Sequence, residues 1–269
     1  MTEGAPSRLS AYVRAIGVLG PGLRDWPSAA AVLAGGEPYT PAPTEMPPPV
    51  TLPPAERRRV GATVRLALSV AQQAAAAADV DAAQLATVFA ASGGDGAICH
   101  EICSTLASND RQISPTRFHN SVHNAPAGYW SIAMRSTAPS TALSAYDGSF
   151  AAGLLEALAQ LMTRAAPVLL VSYEIAYPEP LHAKRPLAAA FACALLLEPR
   201  AGTGSGPCIE AALVQEPCDT LADDPLESLR RGVPSARGLP LLRQLAHGDR
   251  GRVVIDYLPD LQLALRVAP

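Results

Sequence analysis

A short apolar strand that runs straight into a helix places the strongest constraint on this 269-residue chain. Ser140–Ala145 is apolar and small, and helix-forming residues begin near Asp147–Gly148 with no linker between them. Such a sharp turn displays one side chain beside a helix N-terminus, where the helix dipole favours negative charge. The pattern therefore predicts an α/β protein with a candidate site at Asp147, which is flanked by Tyr146. Neither Cys nor Ser occupies the apex of this turn.

Strand-like and helix-like segments alternate along the chain. Continuous apolar runs such as 167–173 (PVLLVSY) predict buried strands, and Ala-rich stretches with apolar residues every three or four positions predict helices. Up to Glu198 the order is β-α-α-β-α-α-β-α-β-β, which favours a sheet covered on both faces. The predicted strands there are 12–20, 85–91, 140–145, 167–173 and 187–198, and the helices include 54–79, 97–107 and 150–164. Beyond them we predict a strand at 209–215, helices at 225–231 and 239–247, and a β-hairpin of 252–257 with 261–267.

A longer motif surrounds the turn. Ser114–Gly128 reads S-P-x-x-F-x-x-S-V-H-N-x-x-A-G and is followed by Pro139–Ser140 and the turn, while residues 11–22 read A-Y-x-x-x-I-G-x-x-G-P-G. This arrangement resembles the N-terminal half of a β-ketoacyl synthase. The resemblance covers 11–198 well and 199–269 weakly. It implies an α/β thiolase-like fold of layered α-β-α-β-α type, in which residues 1–269 form a single domain with an abridged C-terminal half.

The same resemblance implies a loss of catalysis. In condensing members of the family the turn carries a nucleophilic Cys, and counting from Pro139–Ser140 that position falls on Asp147. A full ketosynthase has two catalytic His residues in its second half, whereas residues 199–269 contain only His247. Decarboxylative condensation requires a thiolate nucleophile. The chain is thus expected to be a non-catalytic chain length factor of the type II polyketide and aryl polyene kind, without cofactor. It would pair with an active β-ketoacyl synthase and meet acyl carrier protein only through that complex.

In condensing enzymes of this family, the segment equivalent to 114–133 runs beside the acyl tunnel and the dimer interface. The resemblance therefore makes several of its side chains candidates to line or close a tunnel, and ordinary core or interface packing is the alternative for each of them. The candidates are Phe118, Ser121, His123, Asn124, Tyr129, Trp130 and, at the turn, Tyr146.

Two other functions stay open from the residues alone. Asp147 as a general base, or Ser149 as a nucleophile with His123, would make an acyl transferase or a hydrolase. The surroundings of Ser149 (YDGSFAA) do not match the G-x-S-x-G motif of such enzymes. A homodimeric scaffold is the third possibility. A neighbouring ketosynthase gene, or instability of the chain expressed alone, would favour the paired function.

Two motifs have features of ligand sites, one of a zinc site and one of a nucleotide site. Cys99 and Cys103, with His119 and His123, have spacings seen in zinc sites. The two Cys fall on an apolar helix, however, where free Cys acts as a small hydrophobic side chain, and we expect no metal. The loop Ser92–Gly96 is Gly-rich but lacks the Lys-Ser/Thr of a P-loop, so it predicts a tight turn rather than a nucleotide site.

Composition argues against several classes of function. The net charge of −3 offers no basic field to nucleic acid. Five Cys without a secretory leader indicate a reducing compartment, and no uncharged apolar run reaches the roughly 18 residues that span a bilayer. A cytoplasmic protein is expected. Pro38–Pro54 should be an extended surface crossing or, alternatively, a proline-recognition ligand, and Arg57–Arg59 suits either an acidic carrier protein or a solvated helical turn.

Overall fold

The computed structural model describes residues 9–202 and 206–269, and alternating strands and helices account for most of them. The strands are β1 (Leu9–Leu19), β2 (Ala86–Ala90), β3 (Ser140–Leu143), β4 (Val168–Glu174), β5 (Phe191–Glu198), β6 (Cys208–Val214), β7 (Gly251–Leu258) and β8 (Leu261–Ala268). The α-helices are α1 (Trp26–Leu33), α2 (Pro54–Arg57), α3 (Ala62–Ala78), α4 (Gly96–Ala107), α5 (Pro115–Asn120), α6 (Ala125–Met134), α7 (Ser149–Arg164), α8 (Leu181–Lys184), α9 (Asp224–Gly232) and α10 (Leu239–His247).

All of these strands belong to one sheet, in the order β3-β2-β4-β5-β1-β6-β8-β7. β2 pairs in parallel with β3 and with β4, and the other neighbours are antiparallel. Every residue of β4 is buried, as its continuous apolar run predicts. Because parallel strands end at the same edge of a sheet, the carboxyl ends of β2, β3 and β4 lie side by side there.

Helices cover the sheet on two faces. On one face, the Ala-rich α3 and α6 pack over the central strands, with Leu66 and Val70 among the residues buried against Leu169 and Leu196. On the other face, α1, α7, α9 and α10 share a second core with the opposite sides of the strands. The small Ala side chains of α3 let the helix lie close to β1, β4 and β5.

The sheet curls around α7. This helix contacts β2 and β4 on one side and β7 on the other. Leu154 of α7 therefore lies in the same core as Val253 and Ile255 of β7. The strands after residue 206 thus form the curled end of the sheet, and α7 becomes a helical layer between its two ends.

The element bounds depart from the sequence prediction at three places. The single helix predicted over 54–79 is wrong, since α2 and α3 are separated by Arg58–Gly61. Arg57 donates from its guanidinium to the carbonyl oxygens of Val50 and Leu52, which ties α2 back to the preceding loop. The strand predicted at 187–198 begins only at Phe191, and the strand predicted over Ser140–Ala145 ends at Leu143.

A further correction concerns α4. We expected Cys99 and Cys103 to act as small hydrophobic side chains on an apolar helix, but both are exposed, and Gly96 is the only residue of this helix that is buried. The apolar composition of α4 therefore does not serve the core of this chain.

The remaining predicted segments agree with the structure to within three residues, except that three helices rather than the predicted two lie between β2 and β3. Pro38 and the residues that follow it contain neither helix nor strand up to Pro54, and Thr44 anchors the crossing by donating to the Ala190 carbonyl oxygen at 2.7 Å. After residue 206, β6, α9, α10, β7 and β8 lie within one or two residues of their predicted positions. In the described ranges, no helix combines the length and apolar character needed to cross a membrane.

Candidate functional site

The candidate site lies at the carboxyl ends of β2, β3 and β4. Hydrogen bonds join the three strand ends directly. Ser144, just after β3, donates from its hydroxyl to the Ser92 carbonyl oxygen at 3.0 Å, and Ser92 donates both from its backbone N–H and from its hydroxyl to Glu174 at the end of β4. The turn predicted as the candidate site thus sits at the position where open parallel sheets place their ligand sites.

The turn between β3 and α7 is held by Ser149. A 3-10 turn over Tyr146–Gly148 joins the two elements, and the Ser149 hydroxyl accepts from Ala145 N–H at 3.0 Å while donating to the Tyr146 carbonyl oxygen at 2.7 Å. Gly148 packs so closely on β7 that a Cβ there would overlap the Tyr257 carbonyl oxygen.

The strained position of this turn is Tyr146. Its φ is +51°, in the left-handed region that non-glycine residues rarely adopt, and 63% of the residue is exposed. The sequence analysis placed the apex at Asp147, whereas the backbone places it one residue earlier. No residue pattern signals this, because a left-handed Tyr is not recognisable from its neighbours.

Two arginines hold the Asp147 carboxylate. Arg185 Nη2 lies 2.9 Å from Asp147 Oδ1, and Arg237 Nη2 lies 3.0 Å from Oδ2. The Arg185 guanidinium also stacks on the Tyr146 ring, 3.7 Å from its centroid. Both residues at the turn are therefore engaged by the same arginine.

The charged contacts continue into the C-terminal part of the chain. Arg237 Nη1 lies 3.6 Å from Asp256 Oδ1, Asp256 pairs with Arg230, and Arg230 Nη2 lies 2.7 Å from Glu227 Oε1. The hydrogen bonds from Arg230 lower the pKa of the Glu227 carboxyl. We call this chain of ion pairs from Asp147 to Glu227 the charge ladder. Sequence reasoning missed it, because its members come from distant segments, with Asp147 and Arg237 alone 90 positions apart.

Glu174 is the most deeply buried acid of the site, with 3% of the residue exposed. Burial raises the pKa of its carboxyl to about 7, against the opposing effect of the two hydrogen bonds from Ser92. The Arg185 charge lowers this pKa and the Asp147 charge raises it. A carboxyl with this pKa changes its charge near neutral pH.

The sequence matches the family model of the beta-ketoacyl synthase, N-terminal domain, over residues 31–253. The chain belongs to this family. The match begins later and extends further than the 11–198 range of the sequence resemblance, so it includes α9 and α10. No curated protein matches this β-ketoacyl synthase-family chain at a significant level.

Solved structures establish the thiolase-like ketosynthase fold. One similar structure is a ketosynthase in complex with its chain length factor from Xenorhabdus doucetiae, with 24% identity, a TM-score of 0.73, and 96% of this chain and 99% of that chain covered. A second is the ishigamide ketosynthase/chain length factor, with 13% identity, a TM-score of 0.71 and the same coverage. A third is AntDE:AntF, an acyl carrier protein in complex with its ketosynthase, with 12% identity, a TM-score of 0.74, and 97% and 99% covered.

The tunnel candidates of this ketosynthase-family chain differ in their burial. Tyr129 and Trp130 are buried in the core beneath α3, where the Tyr129 hydroxyl donates to Asn120 Oδ1 at 2.9 Å. Phe118 and Asn124 are exposed, as is Tyr146 at the turn. The last two candidates, Ser121 and His123, are half-buried. The Ser121 hydroxyl donates to the Phe118 carbonyl oxygen at 2.8 Å, and His123 Nε2 lies 3.3 Å from the Ala91 carbonyl oxygen.

The residues of the alternative enzyme are placed unfavourably for catalysis. Ser149 is fully buried and its hydroxyl already makes two hydrogen bonds, so it is not presented to a substrate. Asp147 is paired with two arginines and is not a free base. Within the described residues, no group of three His, Cys, Asp or Glu side chains is arranged to hold a metal ion.

Proposed function

We propose that this chain is a non-catalytic chain length factor that pairs with an active β-ketoacyl synthase and helps to limit the length of an acyl or polyene product. The turn before α7 carries the proposal. Its apex is Tyr146, and the next residue is an arginine-bound Asp147. Neither side chain can form and turn over the acyl thioester that condensation requires.

Four of the five thiols support the same conclusion. Burial raises the pKa of Cys193 to about 12 and that of Cys218 to about 11, and it also raises the pKa of Cys99 and Cys208. A reactive cysteine needs the opposite shift, toward the thiolate.

The similar solved structures support a ketosynthase partner. Two of them are described as ketosynthases with chain length factors, and a third contains an acyl carrier protein. By this likeness we propose a heterodimer, or a larger assembly built from it, that meets acyl carrier protein through the ketosynthase. An aryl polyene pathway is the product context that we propose from the sequence motif.

An open sheet edge offers the surface for pairing. β3 is an edge strand, with β2 as its neighbour on one side and no described strand on the other. Exposed apolar side chains flank it, since Ile132 lies on α6 and Met162 on α7, and both helices contact β3. An unprotected edge with apolar surroundings is suited to pairing with a strand of another chain.

A second exposed apolar surface lies on α4, on α5 and just beyond α5. Leu106 on α4, Phe118 on α5 and Val122 beyond it are 47%, 63% and 47% exposed. Glu101 of α4 is paired with Arg117 of α5 at 2.8 Å, so the one charged side chain of α4 is neutralised within the helix pair. We call α4 and α5 together the α4–α5 arm. Its apolar, nearly uncharged surface suits a permanent protein partner.

Co-expression with the neighbouring ketosynthase, followed by light scattering on the purified material, tests the pairing. We expect a stoichiometric complex with the wild-type chain and its loss with Ile132→Glu, because a charge would then face the apolar interface. Leu258→Glu is the matched control, since Leu258 is 44% exposed, like Ile132 at 43%, but lies on β7 at the other edge of the sheet. A wild-type chain that stays a well-behaved monomer or homodimer beside the ketosynthase would contradict the proposal.

The lack of catalysis has its own test. Asp147→Ala and Tyr146→Ala are each introduced into the co-expressed complex, and product formation is followed by chromatography. We expect synthesis to continue, because the nucleophile belongs to the partner. If synthesis stops in a complex of normal composition, the turn takes part in chemistry and the chain is not a silent subunit.

A further inference from the structure

The α4 helix has little that holds it in place. It is 12 residues long, and only Gly96, its first residue, is buried. Apart from α5, no described element makes more than a few contacts with it. The direction of this helix is therefore set by its contacts with α5 and by its N-terminal end, where it follows β2.

Glu174 and Tyr177 hold that end from one side. One oxygen of the Glu174 carboxyl accepts a hydrogen bond from the Ser92 backbone N–H. The other accepts one from the Ser92 hydroxyl, at 2.9 Å. Tyr177 lies directly over the loop that follows: a Cβ on Gly93 would overlap its hydroxyl, and one on Gly96 would overlap its ring.

Asp95 closes the same end from within the loop. It is 8% exposed and accepts from Ile98 N–H at 3.0 Å, which caps the first turn of α4. The cap fixes where the helix begins, but it cannot fix the tilt of the helix against the sheet. Asp95 and Ile98 also lie against Gly61 at the start of α3, and the contacts of Glu174 and Tyr177 hold the loop from the side of β4.

We propose that Glu174 and Tyr177 form a clamp that sets the direction of α4, and that α4 held in this direction is a recognition element for the ketosynthase partner. This inference rests on the proposed function. The partner is expected to present an apolar surface, because the α4–α5 arm exposes Leu106 and Phe118 and carries its Glu101–Arg117 charges as an internal pair.

A small tilt at the N-terminal end of α4 becomes a large displacement at its far end. With a rise of about 1.5 Å per residue, Leu106 lies roughly 15 Å along the helix from Gly96, so a tilt of about 10° moves it by roughly 3 Å. A displacement of that size removes an apolar side chain from a packed interface, where complementarity is as tight as in protein interiors. Glu174 is thus a positioning residue, which acts on the partner through the loop and the helix.

Hydrogen–deuterium exchange of residues 98–107, measured in the isolated chain and in the ketosynthase complex, tests the clamp. We expect Glu174→Ala to speed the exchange of α4 by about tenfold or more and to weaken ketosynthase binding by about tenfold, while the buried α3 exchanges as before. Glu174→Gln keeps an acceptor for Ser92 N–H and should remain close to wild type in both measurements. Glu37→Ala, at an exposed acid away from the loop, is the control.

A second variant guards against misfolding. If Glu174→Ala does not fold, Tyr177→Leu, which removes the ring over Gly96, should give the same faster exchange and weaker binding. Unchanged α4 exchange in a folded Glu174→Ala or Tyr177→Leu variant would overturn the clamp, as would equal effects of Glu174→Ala and Glu174→Gln. Failure of the wild-type chain to bind ketosynthase would instead count against the proposed function, and exchange in the isolated chain would still decide whether the clamp exists.

Discussion

Single residues at the strand ends carry unusual electrostatic and conformational states. Tyr146 holds a left-handed backbone under a stacked guanidinium, and Glu174 is an acid buried almost completely beside it. Strained or desolvated groups persist only where the surrounding structure holds them. Here the surroundings are the Ser149 hydroxyl, the charge ladder and the Ser92 hydrogen bonds, and each can be removed separately.

Glu174 should make stability depend on pH. Its pKa rises from 4.5 to about 7 on folding, so the folded chain keeps a proton that the unfolded chain releases between these values. The free energy of unfolding of the wild type should therefore fall by up to about 3 kcal/mol as pH rises from 4.5 through 7, relative to Glu174→Gln. Denaturant titrations of both proteins at pH 5, 6, 7 and 8 measure this difference in the free energy of unfolding. Parallel curves for the two proteins would show that Glu174 does not titrate in this range.

Trp130 and Phe118 should behave differently when truncated. Trp130 is 1% exposed, so Trp130→Ala should lower the free energy of unfolding by about 3 kcal/mol or more through the cavity it leaves. Phe118 is 63% exposed, so Phe118→Ala should leave stability within about 0.5 kcal/mol and affect only the complex or its product. Thermal unfolding and product length are measured together. A stable Trp130→Ala variant that changes product length would favour a tunnel role over core packing.

At the scale of single elements, β3 is an edge strand whose outward-facing backbone groups are available to a strand of another chain. Thr87 donates to the Pro139 carbonyl oxygen at 3.0 Å and Ala91 donates to that of Leu143 at 3.3 Å. In a parallel pair this pattern turns alternate residues toward the neighbour, so the N–H of Ala142 points to the open edge.

Ala142→Pro should therefore block pairing across the edge while the chain itself still folds. Proline removes only an outward-facing donor here, and edge strands tolerate it. Light scattering of the co-expressed material measures the complex, and circular dichroism confirms the fold. Full retention of the ketosynthase complex by Ala142→Pro would show that the edge strand is not paired with the partner.

Most elements could be predicted from periodicity, and the failures have specific causes. β4, β5 and α7 are long and strongly patterned, so their burial and type follow from the sequence. α4 has the same apolar composition as a core helix, yet only its first residue is buried, and no sequence pattern distinguishes the two cases. The break at Arg58–Gly61 is accompanied by hydrogen bonds from Arg57 to the loop that precedes α2, which the helix-forming composition of the segment does not reveal.

The candidate site was only partly predictable. The strand-to-helix turn and its position in the chain follow from Ser140–Phe150, because a strand without a linker must end in a turn at the sheet edge. The partners of Asp147 could not be found in this way, since Arg185 and Arg237 lie 38 and 90 positions away. The left-handed Tyr146 depends on how Ser149 and Gly148 are packed, which only the folded chain determines.

For the whole molecule, the curled sheet makes the two parts of the chain depend on each other. α7 has β2 and β4 on one side and β7 on the other, and the charge ladder joins its N-terminal turn to β7 and α9. Removal of the C-terminal part would expose Phe150, Leu154 and other buried residues of α7.

A chain truncated after Glu198 should therefore not fold cooperatively, although 11–198 contains the whole motif that resembles a ketosynthase half. We expect loss of the sharp thermal transition and binding of a hydrophobic dye, because the face of α7 that packs on β7 would be solvated. A cooperative transition in the truncated chain would show that residues 199–269 are an addition to a self-sufficient domain.

The open β3 edge also affects how such a protein can be produced in a cell. A subunit whose edge strand and apolar arm stay uncovered is exposed to self-association for as long as it waits for its partner. Aggregation then depends on how much of one subunit is made in excess of the other, rather than on the total amount of either subunit. Matched synthesis of the two chains, or prior synthesis of the ketosynthase, would keep that surplus small. On the pairing proposed above, the geometry of one four-residue strand would link the protein to the relative dosage and timing of two gene products.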